Sequence, residues 1–212
     1  MPKAFTEYEK GLITTRLLEQ GYKQFSAYGL RKTNVGELAE AAGISKGAFY
    51  NFYESKEALF MDVVELAEQR YRQDVLAALE LPGPSPRARL VAVLKKAFTS
   101  FKEIPILQFL TSSDYDLLSR RVSPAKLQEH MASDRAFIED LVARCRQAGI
   151  SIQASTEEIR VLFYALVLTV VHEEDFGPDG LRGAVDILLE LVAAFCLGEV
   201  QIQGIAGIGE SR

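Results

Sequence analysis

Cysteine is scarce in this chain, with two in 212 residues. Cys145 and Cys196 stand too far apart for a CxxC metal site, and one pair cannot build a disulfide framework. Both fall in apolar helical patterns, which predicts small buried hydrophobes in a reducing compartment. His130 and His172 are the only histidines, so no His/Cys/Asp group has metal-ligand spacing, and neither metal nor cofactor is expected. Long hydrophobic runs are also missing. The most apolar stretch, Val161 to Val171, falls short of the ~18 residues of a membrane span. Glu157, Glu158 and Arg160 precede it, and Glu173, Glu174 and Asp175 follow. The first residues, Met1 to Glu7, hold no apolar signal core. A cytoplasmic chain without a membrane partner is therefore expected.

Positive charge is in short supply too. The formal net charge is −5, which taken alone argues against nucleic acid as a partner. The charge is unevenly spread, however. Residues 1–56 carry eight basic and six acidic side chains, a net of +2, whereas residues 57–212 carry 16 and 23, a net of −7. A difference this modest is common by chance. It does show that the acidity belongs to the C-terminal three quarters.

No stretch alternates apolar and polar residues as a strand would. Apolar residues instead recur at helical spacing along nearly the whole chain, and 48% hydrophobic content is enough for a sizeable core. The spacing predicts nine or ten helices. The first spans about Thr6 to Tyr28, with Ile13, Leu17, Gly21, Phe25 and Tyr28 on its inner face and Gly29 as its stop. Asn34 with Glu37 has capping-box spacing for a short second helix. Ser45 caps a third, and Ser55 a fourth with the inner stripe Leu59, Phe60, Val63, Leu66 and Ala67. Pro82, Pro84 and Pro86 separate that helix from the next. Pro105 starts a short helix, Pro124 opens a long one, and Ser155 or Thr156 with Glu158 opens another. Pro178 and Asp179 begin the last, which Gly198 closes. The tail from Gln201 to Arg212 reads as loosely held.

The segment from Thr33 to Lys56 is the informative one. Two short helices joined through Gly43-Ile44 have the spacing of a helix-turn-helix. Glycine suits the turn because it tolerates positive φ. The next helix opens Ser45-Lys46-Gly47-Ala48, leaving one cation and small side chains at an end that fits a major groove. Lys46 could donate to guanine O6 or N7, and Asn51 could pair with adenine. An ordinary solvated lysine is the competing reading for Lys46 and Lys56 taken singly. Tyr53 stays open between core and contact.

The run Thr33-Asn34-Val35-Gly36-Glu37-Leu38-Ala39-Glu40-Ala41-Ala42-Gly43-Ile44-Ser45-Lys46-Gly47-Ala48-Phe49-Tyr50-Asn51-Phe52-Tyr53-Glu54-Ser55-Lys56-Glu57-Ala58-Leu59-Phe60 resembles the DNA-binding signature of the tetracycline-repressor (TetR) family. The shared features are a Thr-rich lead-in, a small-residue turn ending in Gly-Ile-Ser, an aromatic recognition helix and Ser-Lys-Glu at the start of helix four. Asn34 replaces a common second threonine and keeps the capping chemistry. Gln20, Gln24 and the Phe52-Tyr53 pair also depart from the usual pattern. The resemblance implies an all-α fold, with a three-helix helix-turn-helix domain over residues 1–54 and a helical effector-binding and dimerisation domain over 55–212. It implies contacts to double-stranded DNA from Thr33, Asn34, Ser45, Lys46, Gly47, Ala48, Tyr50, Asn51 and Lys56. Among these, Thr33, Ser45, Tyr50 and Lys56 would meet phosphates.

A single recognition helix reads few base pairs, so such modules usually pair on a pseudo-palindromic operator. The stretch from Val161 to Leu168 is apolar all round, and Ile187 to Phe195 nearly so. The resemblance implies that these two helices form a homodimer, with burial inside one chain as the competing reading. It also implies a pocket for a small, largely apolar effector. Phe98, Phe101, Phe109, Tyr115, Phe137, Tyr164, Leu168 and His172 are its candidate lining, and plain core packing competes at each. The implied function is a ligand-responsive transcriptional regulator, most often a repressor. An enzyme is not expected, since no G-x-S-x-G, P-loop, dinucleotide turn or nucleophile–base set occurs. A helical interaction module without DNA binding is the remaining alternative, and intact Ser45, Tyr50 and Lys56 count against it.

Overall fold

Thr6 starts α1 (Glu7–Lys32) with a capping box. Its hydroxyl accepts from Glu9 N at 3.3 Å, and its own N–H donates to the Glu9 carboxylate at 2.8 Å. The backbone bond, helped by the hydroxyl, holds Glu9 below the usual carboxylate range. Gly29 interrupts the helix with φ 73° and ψ 170°, so the long part stops at the glycine and one short helical turn, ending at Lys32, follows the kink. Ile13, Leu17, Gly21 and Phe25 are buried as their spacing predicts. Tyr28 is not, at 60% exposed. Leu30, beyond the glycine, is fully buried in its stead, because the break turns the chain off the helical period.

The computed structural model describes residues 5–108, 118, 120–171 and 180–200. Among them no strand occurs, and nine helices follow in order. After α1 come α2 (Val35–Ala41), α3 (Lys46–Phe49), α4 (Lys56–Leu79), α5 (Pro86–Glu103) and α6 (Pro105–Gln108). The remaining three are α7 (Pro124–Gln147), α8 (Thr156–Val171) and α9 (Gly180–Cys196). Side-chain caps set most N-termini: Ser55 for α4, Ser85 for α5 and Ser123 for α7 accept from the N–H three residues on. Ser155 and Glu158 form a second capping box ahead of α8. Proline is the first residue of α5, α6 and α7, where its missing N–H costs nothing. Gly149 and Gly198 end α7 and α9 at positive φ. Pro178, Asp179 and the tail 201–212 lie outside the described residues.

The chain divides into two compact units, Met1–Gln69 with Ile104–Leu127, and Arg70–Glu103 with Gln128–Arg212. The first therefore reaches beyond the boundary expected at residue 54 and takes in the first half of α4. The reason is packing. Leu59, Phe60 and Val63 of α4 are buried, and the Phe60 ring meets Phe25 of α1 edge-on at 5.1 Å. Gly21 permits this approach, since a Cβ there would lie 2.9 Å from Val63 Cγ2. Leu66, expected on the same stripe, is exposed.

In the second unit α5 packs against α8 and α9. Phe98, Leu166, Val185 and Leu189 form a buried cluster flanked by Leu94 and Val192. Arg89 joins two helix ends: its guanidinium donates to Leu79 O at 3.0 Å and Ala148 O at 2.6 Å, carbonyls that have no helical partner of their own. Cys145 and Cys196 are both buried, and burial pushes each thiol up to about 11, so neither is a thiolate near neutrality. Among the described residues no helix is long and apolar enough to cross a membrane.

Candidate nucleic-acid interface

Asn34 Oδ1 accepts from Gly36 N at 2.7 Å and so starts α2, bonding at Gly36 rather than at Glu37 where the capping-box spacing pointed. Leu38 and Ala39 turn inward. Gly43, at φ 80°, reverses the chain, and Ile44 N donates back to Ala39 O at 2.9 Å. Ser45 then caps α3 by accepting from Ala48 N at 3.2 Å. Phe49 is fully buried, T-stacked on Tyr50 at 5.5 Å and tilted against Tyr53 at 6.1 Å. This apolar anchor fixes which side of so short a helix faces outward.

The outward side carries Ser45, Lys46, Gly47, Tyr50 and Asn51, all exposed, with Ala48 partly so. Tyr50 is 52% exposed despite its stacking on Phe49, so its hydroxyl stands clear of the core. Around Gly47 a Cβ would meet only Ser45 Oγ, at 4.0 Å, which leaves room for a close backbone approach. Ammonium, carboxamide, phenol and hydroxyl groups thus share one small, sterically open face. Such groups bond base edges and phosphate oxygens.

Two of the expected contact residues are engaged inside the chain. Thr33 is 4% exposed, and its hydroxyl donates to Gly29 O at 2.8 Å. Lys56 Nζ donates to Leu30 O at 2.7 Å, Thr33 O at 2.9 Å and Arg31 O at 3.1 Å. The Thr33 bond is local, four residues back along the chain, whereas the Lys56 contacts reach 23 to 26 residues back and leave no signal in sequence spacing. Tyr53, left open above, is buried. Its phenol bonds the Asp62 carboxylate, and burial first, then that neighbouring charge, pushes its ionisation well above the ordinary range. Lys126 of α7 pairs with the same carboxylate.

Among the candidate lining residues of the second unit, Phe98 is buried in the α5–α8–α9 cluster. Phe101 and Phe137 lie in an aromatic group around Tyr71 and Phe163, with ring centroids 6.2 to 6.4 Å apart. Arg72 caps the group from Phe137, its guanidinium 5.4 Å from that ring, and bonds Asp134 at 2.7 Å. Sequence reasoning passed over Tyr71 and Phe163. Tyr164 does not join them, being 53% exposed on the outward side of α8, and Leu168 is half-buried. Phe109, Tyr115 and His172 lie outside the described residues.

Residues 17–63 match the model of the bacterial regulatory proteins of the tetR family. The chain is 33% identical over 185 residues to YdgC, an uncharacterised HTH-type transcriptional regulator of Bacillus subtilis, covering 86% of this chain and 90% of that protein. It is 29% identical over 135 residues to YuxN of the same organism, also an uncharacterised HTH-type transcriptional regulator, covering 60% of this chain and 44% of that protein. The chain thus spans less than half the length of YuxN. Among solved structures, the fatty acid degradation regulator FadR of Bacillus halodurans superposes with a TM-score of 0.61 at 16% identity, over 95% of this chain and all of that one. The chain belongs to the TetR family of helix-turn-helix transcriptional regulators, which are not enzymes.

Proposed function

We propose that this chain is a cytoplasmic repressor that binds a pseudo-palindromic DNA operator as a homodimer and leaves it when a small, largely apolar effector binds. The observation that carries the reading is the outward face of α3, where Lys46, Gly47, Tyr50 and Asn51 are exposed around an apolar anchor. Lys46 and Asn51 are assigned to base edges. Asn34, Ser45 and Tyr50 are assigned to the backbone, with Gly47 and Ala48 admitting the groove wall.

Pairing is supported by apolar residues that a single chain leaves uncovered. Tyr164 on α8 and Ile187, Leu188 and Leu191 on α9 are all exposed, Ile187 by 62%. Exposed apolar residues grouped within one turn of α9 favour an interaction site there. Effector binding is assigned to the second unit, with Phe101 and Phe137 as its aromatic contacts. The effector acts only through its differential affinity for DNA-competent and incompetent dimers.

The test is selection of bound sequences from a random duplex library by the full chain, followed by titration against salt. A two-fold-symmetric consensus is expected, with affinity falling as salt rises. Asn51→Ala is expected to change the preferred base at one position of each half-site. Absence of any preferred sequence would overturn the reading.

A further inference from the structure

We infer that Lys56 is a positioning residue for DNA recognition, acting as a clamp across the two ends of the helix-turn-helix rather than as a phosphate ligand. The inference rests on the DNA-binding reading above and reassigns one residue within it. An ammonium group has three donors. All three are matched here, to Leu30 O, Arg31 O and Thr33 O, at 2.7 to 3.1 Å. No donor remains for a phosphate oxygen.

The carbonyls belong to the short helical turn that ends α1 after the kink at Gly29 and to its cap, Thr33. Carbonyls at such an end have no helical partner and carry the negative end of the helix dipole, so a cation is the suitable cap. The turn runs directly into Asn34, the cap of α2. Thr33 is buried and tied to Gly29 O, so the direction of residues 30–33 sets where α2 starts. Through the Ile44 N–Ala39 O bond and the contact of α2 with α3, it also sets where the recognition helix points. Lys56 is the first residue of α4. Its side chain therefore fastens the segment leading into the helix-turn-helix to the segment leading out of it.

Arginine keeps the charge but is longer and spreads its donors over a flat fork, so it does not reproduce the geometry of three carbonyls converging on one nitrogen. The test compares Lys56→Arg and Lys56→Met in the full chain with wild type. Affinity for the selected operator and for random duplex is measured across a salt series at a temperature where circular dichroism shows native helix content. Both variants are expected to lose about tenfold in operator affinity, with random-duplex affinity and salt slope unchanged. A slope smaller by ~1 in Lys56→Met, restored in Lys56→Arg, would overturn the clamp in favour of a phosphate contact. Unchanged operator affinity with only a lower melting temperature would reduce Lys56 to a stabilising residue and also overturn the positioning role.

Amide exchange reads the clamp without DNA. Exchange at Leu38 and Ala39 is expected to accelerate in both variants while Val63 and Val64 stay protected. Failure of wild type to select any sequence would sink the repressor reading, whereas unaltered exchange in α2 would sink the clamp. Should neither variant fold, the wild-type Lys56 ammonium resonance decides: slow proton exchange, unmoved by operator, is expected, and a shift on adding operator contradicts the clamp.

Discussion

Tyr53 shows how a residue's role can depend on a neighbour that sequence spacing does not reveal. Its ring was readable as either core or contact, and the choice was made by Asp62, nearly two turns into α4, whose carboxylate accepts from the buried phenol. The raised ionisation has a defined sign. The folded chain keeps this proton where the unfolded chain loses it, so the associated stability is complete below about pH 10 and declines as pH rises beyond it. In urea titrations between pH 8 and pH 11, Tyr53→Phe is expected to start less stable than wild type, lacking one hydrogen bond worth about 1 kcal/mol. The gap should then narrow as pH rises. Parallel curves would mean that the phenol does not hold its proton in the fold. The exposure of Lys46, Gly47 and Asn51 was legible at this scale, because a short helix with one apolar anchor leaves few alternatives. Thr33 and Lys56 were not, because their partners are main-chain carbonyls, and any sequence supplies those.

Helix limits were legible because their chemistry is local. Hydroxyl caps and first-turn prolines act on atoms within three residues, so Ser45, Ser55 and Ser155 sit where their spacing placed them. How closely two helices approach is a different matter. Gly11 and Gly21 both lie on α1, and spacing puts only Gly21 on the inner face, but the closeness of the contact is not in the spacing: a Cβ at Gly11 meets nothing within 4 Å and one at Gly21 meets Val63 at 2.9 Å. Gly11→Ala is therefore expected to raise stability by about 0.5–1 kcal/mol through helix propensity. Gly21→Ala gains the same propensity but must separate α1 from α4, and overpacking of this kind costs about 1–3 kcal/mol. Thermal melts should move in opposite directions for the two variants. A stabilised Gly21→Ala would show that the α1–α4 contact gives way freely.

On the scale of the whole molecule, the proposed pairing rests on the exposed apolar residues of α8 and α9. Ile187, Leu188 and Leu191 fall within about one turn of helix, and Ile187 and Leu191 are more than half exposed in the single chain. Carboxylates there would be costly to bury against a second copy and harmless in a monomer. Ile187→Glu with Leu191→Glu is expected to sediment as a monomer at micromolar concentration where wild type sediments as a dimer. Native helix content should be retained. Operator affinity should collapse with it, since two heads are needed for half-sites ~34–36 Å apart. A monomeric wild type would remove the premise.

Sequence alone determined the helical class, the caps and the helix-turn-helix of this protein, because periodicity, hydroxyl spacing and the Gly43 turn act over a few residues. It also showed that the chain's net negative charge describes the C-terminal part and not the reading head. Tertiary structure decided the rest. It drew the first half of α4 into the N-terminal unit, turned Phe163 inward and Tyr164 outward, and spent the three donors of Lys56 on the end of α1. Each outcome depends on atoms distant in the chain arriving at one place, and the spacing of residue types carries no record of that.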